Sequence, residues 1–467
     1  MDEFLPSGIQ LSYLLAASLF ILGLKKLGSP ATARQGNQSA AIGMLLAVVA
    51  TMLDRHVLSY EIILIGMAIG SAIGAIAAYK VEMTAMPQMV GIFNGLGGGA
   101  SALVAIAEFW RVLSAGEALS ATSLVTILLG ILIGGVTLTG SFIAFAKLQG
   151  IMPGAPVQFP LQQVVNALIL IGFLAGSGYF LFVPGNLPVF FALVGVSLVL
   201  GVLFVIPIGG GDMPVVISLL NSYSGLAAAA AGFVVNNNML IIAGALVGAS
   251  GIILTNIMCK GMNRSLANVL FAGFGSEAAA AGSSSAGQTL GTVKSIDSEE
   301  GAMMLGYARS VAIVPGYGMA VAQAQHVVRE LADQLEAMGV EVKYAIHPVA
   351  GRMPGHMNVL LAEANVAYTQ LYDMEDINPQ FDQTDVALVI GANDVVNPAA
   401  RHDKGSPIYG MPILEVDKAK HTIVIKRGMG TGFSGVQNEL FFKDKTMMLF
   451  GSAKDVVGQL AAEVKQL

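Results

Sequence analysis

Hydrophobic positions are distributed in two different ways along this chain. Before about residue 264 they form long runs; after it they form short groups with the period of strands or amphipathic helices. A bilayer core about 30 Å thick calls for roughly 20 apolar residues per helix. Nine runs come near that length, at 9–24, 40–53, 62–79, 89–107, 124–146, 164–182, 189–208, 215–235 and 239–258. The second is short and the eighth comparatively polar. The pattern therefore predicts a multi-pass helical membrane domain over 1–264.

Residues 265–302 are low in complexity (GFGSEAAAAGSSSAGQTLG lies among them) and read as a tether. From 303 to 467, strands are predicted at 310–314, 340–347, 386–390, 412–416, 422–426 and 446–450. Helices are predicted at 319–338, 355–364 and 453–465, with residues 397–402 following the third strand. Alternating strands and helices of this kind make a doubly wound, Rossmann-like α/β domain.

Composition sharpens this division. Charged residues make up 12% of the chain and hydrophobic ones 55%, against about 25% charged in ordinary soluble domains. Residues 1–264 hold 9 Lys+Arg and 8 Asp+Glu, the remainder 15 and 22. Lys25, Lys26, Arg34, Lys80, Lys147, Lys260 and Arg264 fall on one side of the predicted membrane, Arg55 and Arg111 on the other. The positive-inside rule then puts the N-terminus outside and the C-terminal domain in the cytoplasm. Asp2 and Glu3 leave no positive n-region, so the first run is expected to stay as a helix. A net charge of −6 without basic runs gives no reason to expect nucleic acid, and the single Cys259 fits a reducing compartment.

The candidate chemistry centres on RSVAIVPGYGMAVAQAQ, residues 309–325. A short apolar strand meets Pro315, turns at Gly316-Tyr317-Gly318 and opens a helix, the arrangement that cradles a pyrophosphate. Gly316 would allow the turn, Gly318 the approach of backbone to phosphate, and Ala322 close helix packing. Met319, Ala320 and Val321 complete this first cofactor-binding segment. Three more loops leave strand ends: Val349, Ala350, Gly351, Arg352, Met353 and Pro354 in one; Gly391, Ala392, Asn393 and Asp394 in the next; Lys426 and Arg427, followed by Gly432 and Phe433, in the last. An NAD site usually ends its second strand with a carboxylate for the ribose. Here His347 and Pro348 stand there instead, and the Lys426-Arg427 pair suits a 2′-phosphate. Asp394 is placed to bond a ribose or nicotinamide.

The segments GYGMAVAQAQ, IHPVAGRMPGHMNVLLAEA, IGANDVVNPAA and Lys426-Arg427, with GGGDMPVVISLLNSYSG and IMCKGMNRS in the membrane part, resemble the beta subunit of proton-translocating NAD(P) transhydrogenase. The likeness runs from the first helix to the C-terminus. It implies NADP(H) on this chain and NAD(H) on an alpha subunit, or subunits, with further membrane helices. It also implies reversible hydride transfer between the two nucleotides, proton translocation, a location in the cell's inner (plasma) membrane, and a dimer of the heteromeric complex. Two positions depart from the family pattern: Gly428 where a serine is usual, and Gly432-Phe433 where Gly-Tyr is usual.

The residues themselves show one nucleotide fingerprint, so a second nucleotide requires a partner chain; metal-ligand clusters are not expected. A rival reading, a transporter or channel regulated by NADP(H), predicts interrupted helices with paired charges at the midplane, and such charge is nearly lacking. A mere membrane anchor would leave Asp212 and Asn221 unexplained. For the proton route, His56 lies at an outer helix end, and family members with a membrane histidine carry it where this chain has Asn94. An amide takes up no proton in this range, so Asn94 and Asn221 would orient water or a neighbour while a partner helix supplies the protonatable group. Glu82 and Asp212, at cytoplasmic helix ends, suit a gate.

Overall fold

The computed structural model describes residues 4–53, 60–81, 85–116, 120–153, 157–209, 212–262, 265–271, 292–352, 355–406, 408–432 and 434–467. The chain divides into two compact units, Met1–Thr255 and Asn256–Leu467.

Nine long helices occupy the first stretch of the chain among the described residues: α1 Phe4–Leu27, α2 Pro30–Met52, α3 Tyr60–Lys80, α4 Met86–Ala115, α5 Ala121–Leu148, α6 Gln162–Phe182, α7 Leu187–Val205, α8 Met213–Val234 and α9 Asn238–Gly261. Eight are long and apolar enough to cross a membrane. The exception is α2, whose first half carries Arg34, Gln35, Asn37 and Gln38; α8, expected to be the more ambiguous, qualifies. Helices α4, α5, α7 and α8 pack at the centre of this unit, whereas α3 buries none of its residues although it is almost wholly apolar.

Small residues set the central packing. A Cβ on Gly134 would lie 2.5 Å from the Gly98 carbonyl, and one on Gly98 2.7 Å from Thr137 Cβ, so α4 and α5 touch backbone to backbone. Phe109, Phe180 and Phe190 fill the end of this bundle, with ring centroids 4.1 to 5.6 Å apart. Lys147, in the last turn of α5, is buried and donates to the carbonyls of Ile206 and Ile208. It thus satisfies acceptors that the end of α7 leaves open.

The second unit carries a sheet of seven parallel strands: β1 Lys294–Ser295, β2 Ser310–Pro315, β3 Glu341–Ile346, β4 Leu371–Asp373, β5 Val386–Ile390, β6 His421–Lys426 and β7 Thr446–Phe450. Their spatial order is β1-β7-β6-β5-β2-β3-β4. From β4 to β7 this is the doubly wound dinucleotide-binding order, with its switch point between β2 and β5. Strand residues alternate between faces. Ala312, Val314, Ala387, Val389, Val424 and Met448 meet Phe381, Leu414 and Phe441 in one core, while the helices Gln325–Ala337 and Ala453–Val464 pack together on the sheet. The sheet begins at Lys294, inside the stretch that composition marks as a tether.

Three local expectations need correction. The helix expected over 319–338 is two, Tyr317–Val321 and Gln325–Ala337. Gln323 adopts a left-handed φ of 48°; its N–H reaches Ala320 O and that of Ala324 reaches Met319 O, a Schellman ending without glycine. The strand expected over 412–416 is an irregular segment held by side chains. Asn378 donates to Ile413 O and accepts from the Glu415 amide, while the Leu414 N–H goes to Val395 O. Its Ile413, Leu414 and Val416 are buried without a neighbouring strand. The three-residue edge strand β4 was not anticipated, being too short for its period to register.

Candidate functional site

Because all strands run parallel, the loops after β2, β3, β5 and β6 leave from one edge of the sheet. At the switch point the first and third meet main chain to main chain. Gly316 donates to Ile390 O and Gly318 to Gly391 O, each at 2.9 Å. A Cβ on Gly316 would fall 2.4 Å from Ala392 Cα, and one on Gly318 2.7 Å from Gly391 Cα. Gly391 has a φ of +65°, where side chains are disfavoured. The Gly318 N–H is thus bonded to the neighbouring loop, and Gly391 fills the space where a Gly318 side chain would stand. With the following helix only five residues long, the crevice owes little to a helix dipole. It is shaped by this loop-to-loop contact, and Met319 and Ala320 are buried beneath it.

The loop after β3 is braced from inside. His347 accepts the Val349 N–H at Nδ1 (3.3 Å), so Nε2 carries the proton and donates to Pro412 O (2.8 Å). Burial pushes its pKa down to about 4, against the upward pull of the Pro412 bond. Nδ1 thus braces the loop internally, while Nε2 joins it to the irregular segment. Beyond it, Ala350 is buried, Gly351 has a φ of +107°, and the Arg352 guanidinium stands 4.5 Å over the Tyr317 ring. Burial raises the Tyr317 phenol, and Arg352 works the other way.

Asp394 lies in the loop after β5. It accepts from Ser434 twice, from the amide at 3.0 Å and the hydroxyl at 2.7 Å, and a Cβ on Gly432 would lie 2.5 Å from its carboxylate. Asn438 donates to Asn393 O and Oδ1 at 3.0 and 3.1 Å, and Asn397 to Gln437 O at 3.1 Å. The loop after β6 is thereby fastened across the loop after β5. Lys426 reaches Gly430 O and sits 4.8 Å over the Phe441 ring. Burial lowers its ammonium pKa and the nearby Asp394 charge raises it. Arg427 and Val321 are more exposed. Met353, Pro354 and Phe433 lie outside the described residues.

Ser434, Asn438, Asn397 and His356 join this site without having been singled out in the sequence; their partners are 40 or more residues away or, for His356, lie in a turn that no periodicity marks. Two buried side-chain nitrogens here, Asn393 Nδ2 and His356 Nε2, have no hydrogen-bond partner. Both are N–H donors given the bonds their neighbouring atoms accept. Asn393 Nδ2, with Arg352, Lys426 and Arg427, makes this edge rich in donors and positive charge, which fits an acceptor-rich phosphorylated nucleotide. Among the described residues no group of His, Cys, Asp or Glu could hold a metal ion.

In the helical unit, Asn94 on α4 is buried and donates to Ser141 Oγ on α5 at 3.1 Å. Ser224 on α8 donates to its Oδ1 at 2.6 Å. Asn221 lies one turn before Ser224, toward the same side of α8. Asp212 stands half-buried at the start of that helix. The structure thus brings Asn94 and the Asn221 face of α8 together and leaves Asp212 at the helix end. Glu82 and His56 lie outside the described residues.

Residues 9–463 match the family model described as NAD(P) transhydrogenase beta subunit. The chain is 53% identical to NAD(P) transhydrogenase subunit beta of Rhodospirillum rubrum over 456 residues, covering 96% of this chain and 97% of the relative. The same-named protein of Rhodospirillum rubrum strain ATCC 11170 gives the same identity and coverage. Eight membrane-length helices, a parallel sheet with a glycine-lined switch point, and a match over nearly the whole length lead to one conclusion: this chain belongs to the NAD(P) transhydrogenase beta subunit family.

Proposed function

We propose that this chain binds NADP(H) across the β2/β5 switch point and exchanges hydride with NAD(H) held by an alpha subunit, coupling the exchange to proton movement through its helices. The carrying observation is the crevice itself: two loops in backbone contact at Gly316 and Gly391, cations at Arg352, Lys426 and Arg427, and His347 where an NAD site would place a carboxylate. When bound, the nicotinamide supplies the hydride or receives it, so no general acid or base is needed for the redox step. Arg352 and the donor Asn393 Nδ2 hold phosphate and sugar oxygens, and Lys426 with Arg427 read the 2′-phosphate. Asp394, kept in place by Ser434, orients a ribose or nicotinamide. Phe433 and Gly428, where the family pattern has Tyr and Ser, leave the cation pair as the main reader of the phosphate.

The second nucleotide site and the protonatable group belong to the alpha subunit or subunits, in a dimer of the heteromeric complex in the inner (plasma) membrane. The N-terminus lies outside and the sheet domain in the cytoplasm. Asn94 and Asn221 orient the proton path, and Asp212 with Glu82 gates it according to the nucleotide state. The deciding experiment uses the purified chain with and without its alpha partner in sealed vesicles. NADPH should reduce an NAD+ analogue, with proton uptake, only when both are present. Exchange by this chain alone would overturn the division of nucleotides. A cysteine placed at Gly8 should react with an impermeant reagent from outside and one at Gln288 should not; the reverse would invert the topology.

A further inference from the structure

The turn that presents Arg352 is built against one side chain outside the segments expected to bind cofactor. His356, the first residue of the helix His356–Glu363, is 1% exposed, and its Nδ1 accepts the Arg352 amide N–H at 3.0 Å. The same ring presses on the preceding residue: a Cβ on Gly351 would lie 2.4 Å from Nδ1 and 2.6 Å from the His356 Cβ. Only glycine, at its φ of +107°, lets the backbone pass so close. The Tyr317 ring lies 6.3 Å from the imidazole centroid, tilted by 51°, and the Arg352 guanidinium is stacked 4.5 Å over that same phenol. His356 therefore touches both supports of Arg352, its main chain directly and its guanidinium through Tyr317.

An imidazole that accepts at Nδ1 must carry its proton on Nε2 when neutral. Burial favours that neutral form, holding His356 down to about 4, with the Arg352 charge adding to the effect. An imidazolium would turn the Nδ1 acceptor into a donor facing the Arg352 N–H.

We propose that His356 is a positioning residue: as a neutral Nδ1 acceptor it fixes the Gly351-Arg352 turn and thereby aims the Arg352 guanidinium at the dinucleotide. The turn-fixing part stands on geometry alone, and the aiming part rests on the NADP(H) reading given above. A purely space-filling residue would need no acceptor at that atom. Asparagine keeps an acceptor near the Nδ1 position, glutamine moves it one bond outward, and phenylalanine keeps the volume without any acceptor.

The test uses the full-length chain free of nucleotide, then titrated with NADP+. Trypsin cleavage after Arg352, read by mass spectrometry as appearance of the peptide starting at Met353, should be roughly fivefold faster or more in His356→Phe, as loss of one buried hydrogen bond implies. It should return close to the unmodified rate in His356→Asn. NADP+ affinity should fall in His356→Phe and Arg352→Ala alike, and the double variant should be no weaker than Arg352→Ala alone. Should His356→Phe not fold, the same comparison is made between His356→Gln and His356→Asn. Equal cleavage in all variants would overturn the turn-fixing role. Additive losses of affinity would show that His356 does not act through Arg352. Unchanged NADP+ affinity in Arg352→Ala would overturn the aiming part even with the cleavage difference intact, and no NADP+ binding by the unmodified chain would instead strike the nucleotide reading.

Discussion

Glycine brings backbone against backbone in both units, with different consequences. A Cβ on Gly225 of α8 would meet Gly248 N of α9 at 2.4 Å, and one on Gly316 would meet Ala392 Cα at the same distance. In α8 and α9 the backbone groups are already bonded within each helix, so close approach adds dispersion and lets Ser222 donate to Gly248 O at 2.6 Å. Many glycines share that task, and losing one loosens a seam. At the switch point the contact is single and itself hydrogen-bonded, Gly316 N to Ile390 O and Gly318 N to Gly391 O. One side chain there separates the loops that form the crevice. The same residue type is thus a graded packing element in the helical unit and an all-or-none one in the sheet.

The sharpest way to break this comparison is Gly391→Ala beside Gly225→Ala. The first should remove NADP+ binding altogether in a calorimetric titration. The second should destabilise the chain by about 1–3 kcal/mol and leave NADP+ affinity alone. Similar effects of both on affinity would erase the distinction. Next in size, Lys426→Ala with Arg427→Ala should weaken NADP+ by roughly tenfold or more per residue, given about 1.5–3 kcal/mol per charge-assisted bond, with NAD+ little changed. Equal weakening would show that the pair does not read the phosphate.

Within the helical unit, Asn221→Leu and Asp212→Asn should abolish proton-linked turnover while NADP+ binding persists. Full pumping in either variant would take that residue out of the route. Ser434→Ala, which removes the hydroxyl bond to Asp394 and leaves the amide bond in place, should lower NADP+ affinity by roughly fivefold. The pH profile of hydride exchange should not move; a new ionisation near the working pH would make Asp394 a base.

A separate effect is on pH. His347 and His356 are held near 4 in the folded chain against an ordinary 6.5. The unfolded chain therefore binds more protons between these values, and stability present above about 6.5 should decline as pH falls toward 4. Melting temperatures of the full chain across that range should show the decline, and His356→Asn should flatten it. A flat profile in the unmodified chain would mean that neither imidazole is held neutral.

The sequence made some of this legible and hid the rest for physical reasons. Pro315 and the glycines at 316, 318 and 391 punctuate apolar runs, so the turns could be read locally. The break at Ala322–Ala324 could not, because VAQAQ contains no residue that disfavours helix and the left-handed Gln323 is held by the Schellman bonds. Lys147 reads as a helix-end charge, and only the approach of α7's last carbonyls makes it a buried donor. Ser434 and Asp394 are joined by tertiary folding across 40 residues, a distance at which spacing carries no signal.

On the proposed division of nucleotides, this chain and not its partner holds NADP(H). Titrating the purified full-length chain, without any alpha subunit, with NADP+ and separately with NAD+ tests it most directly. NADP+ should bind saturably at one site and NAD+ more weakly by roughly 100-fold, the worth of two charge-assisted bonds at the low end of their range. Equal affinity for both nucleotides, or preference for NAD+, would contradict it.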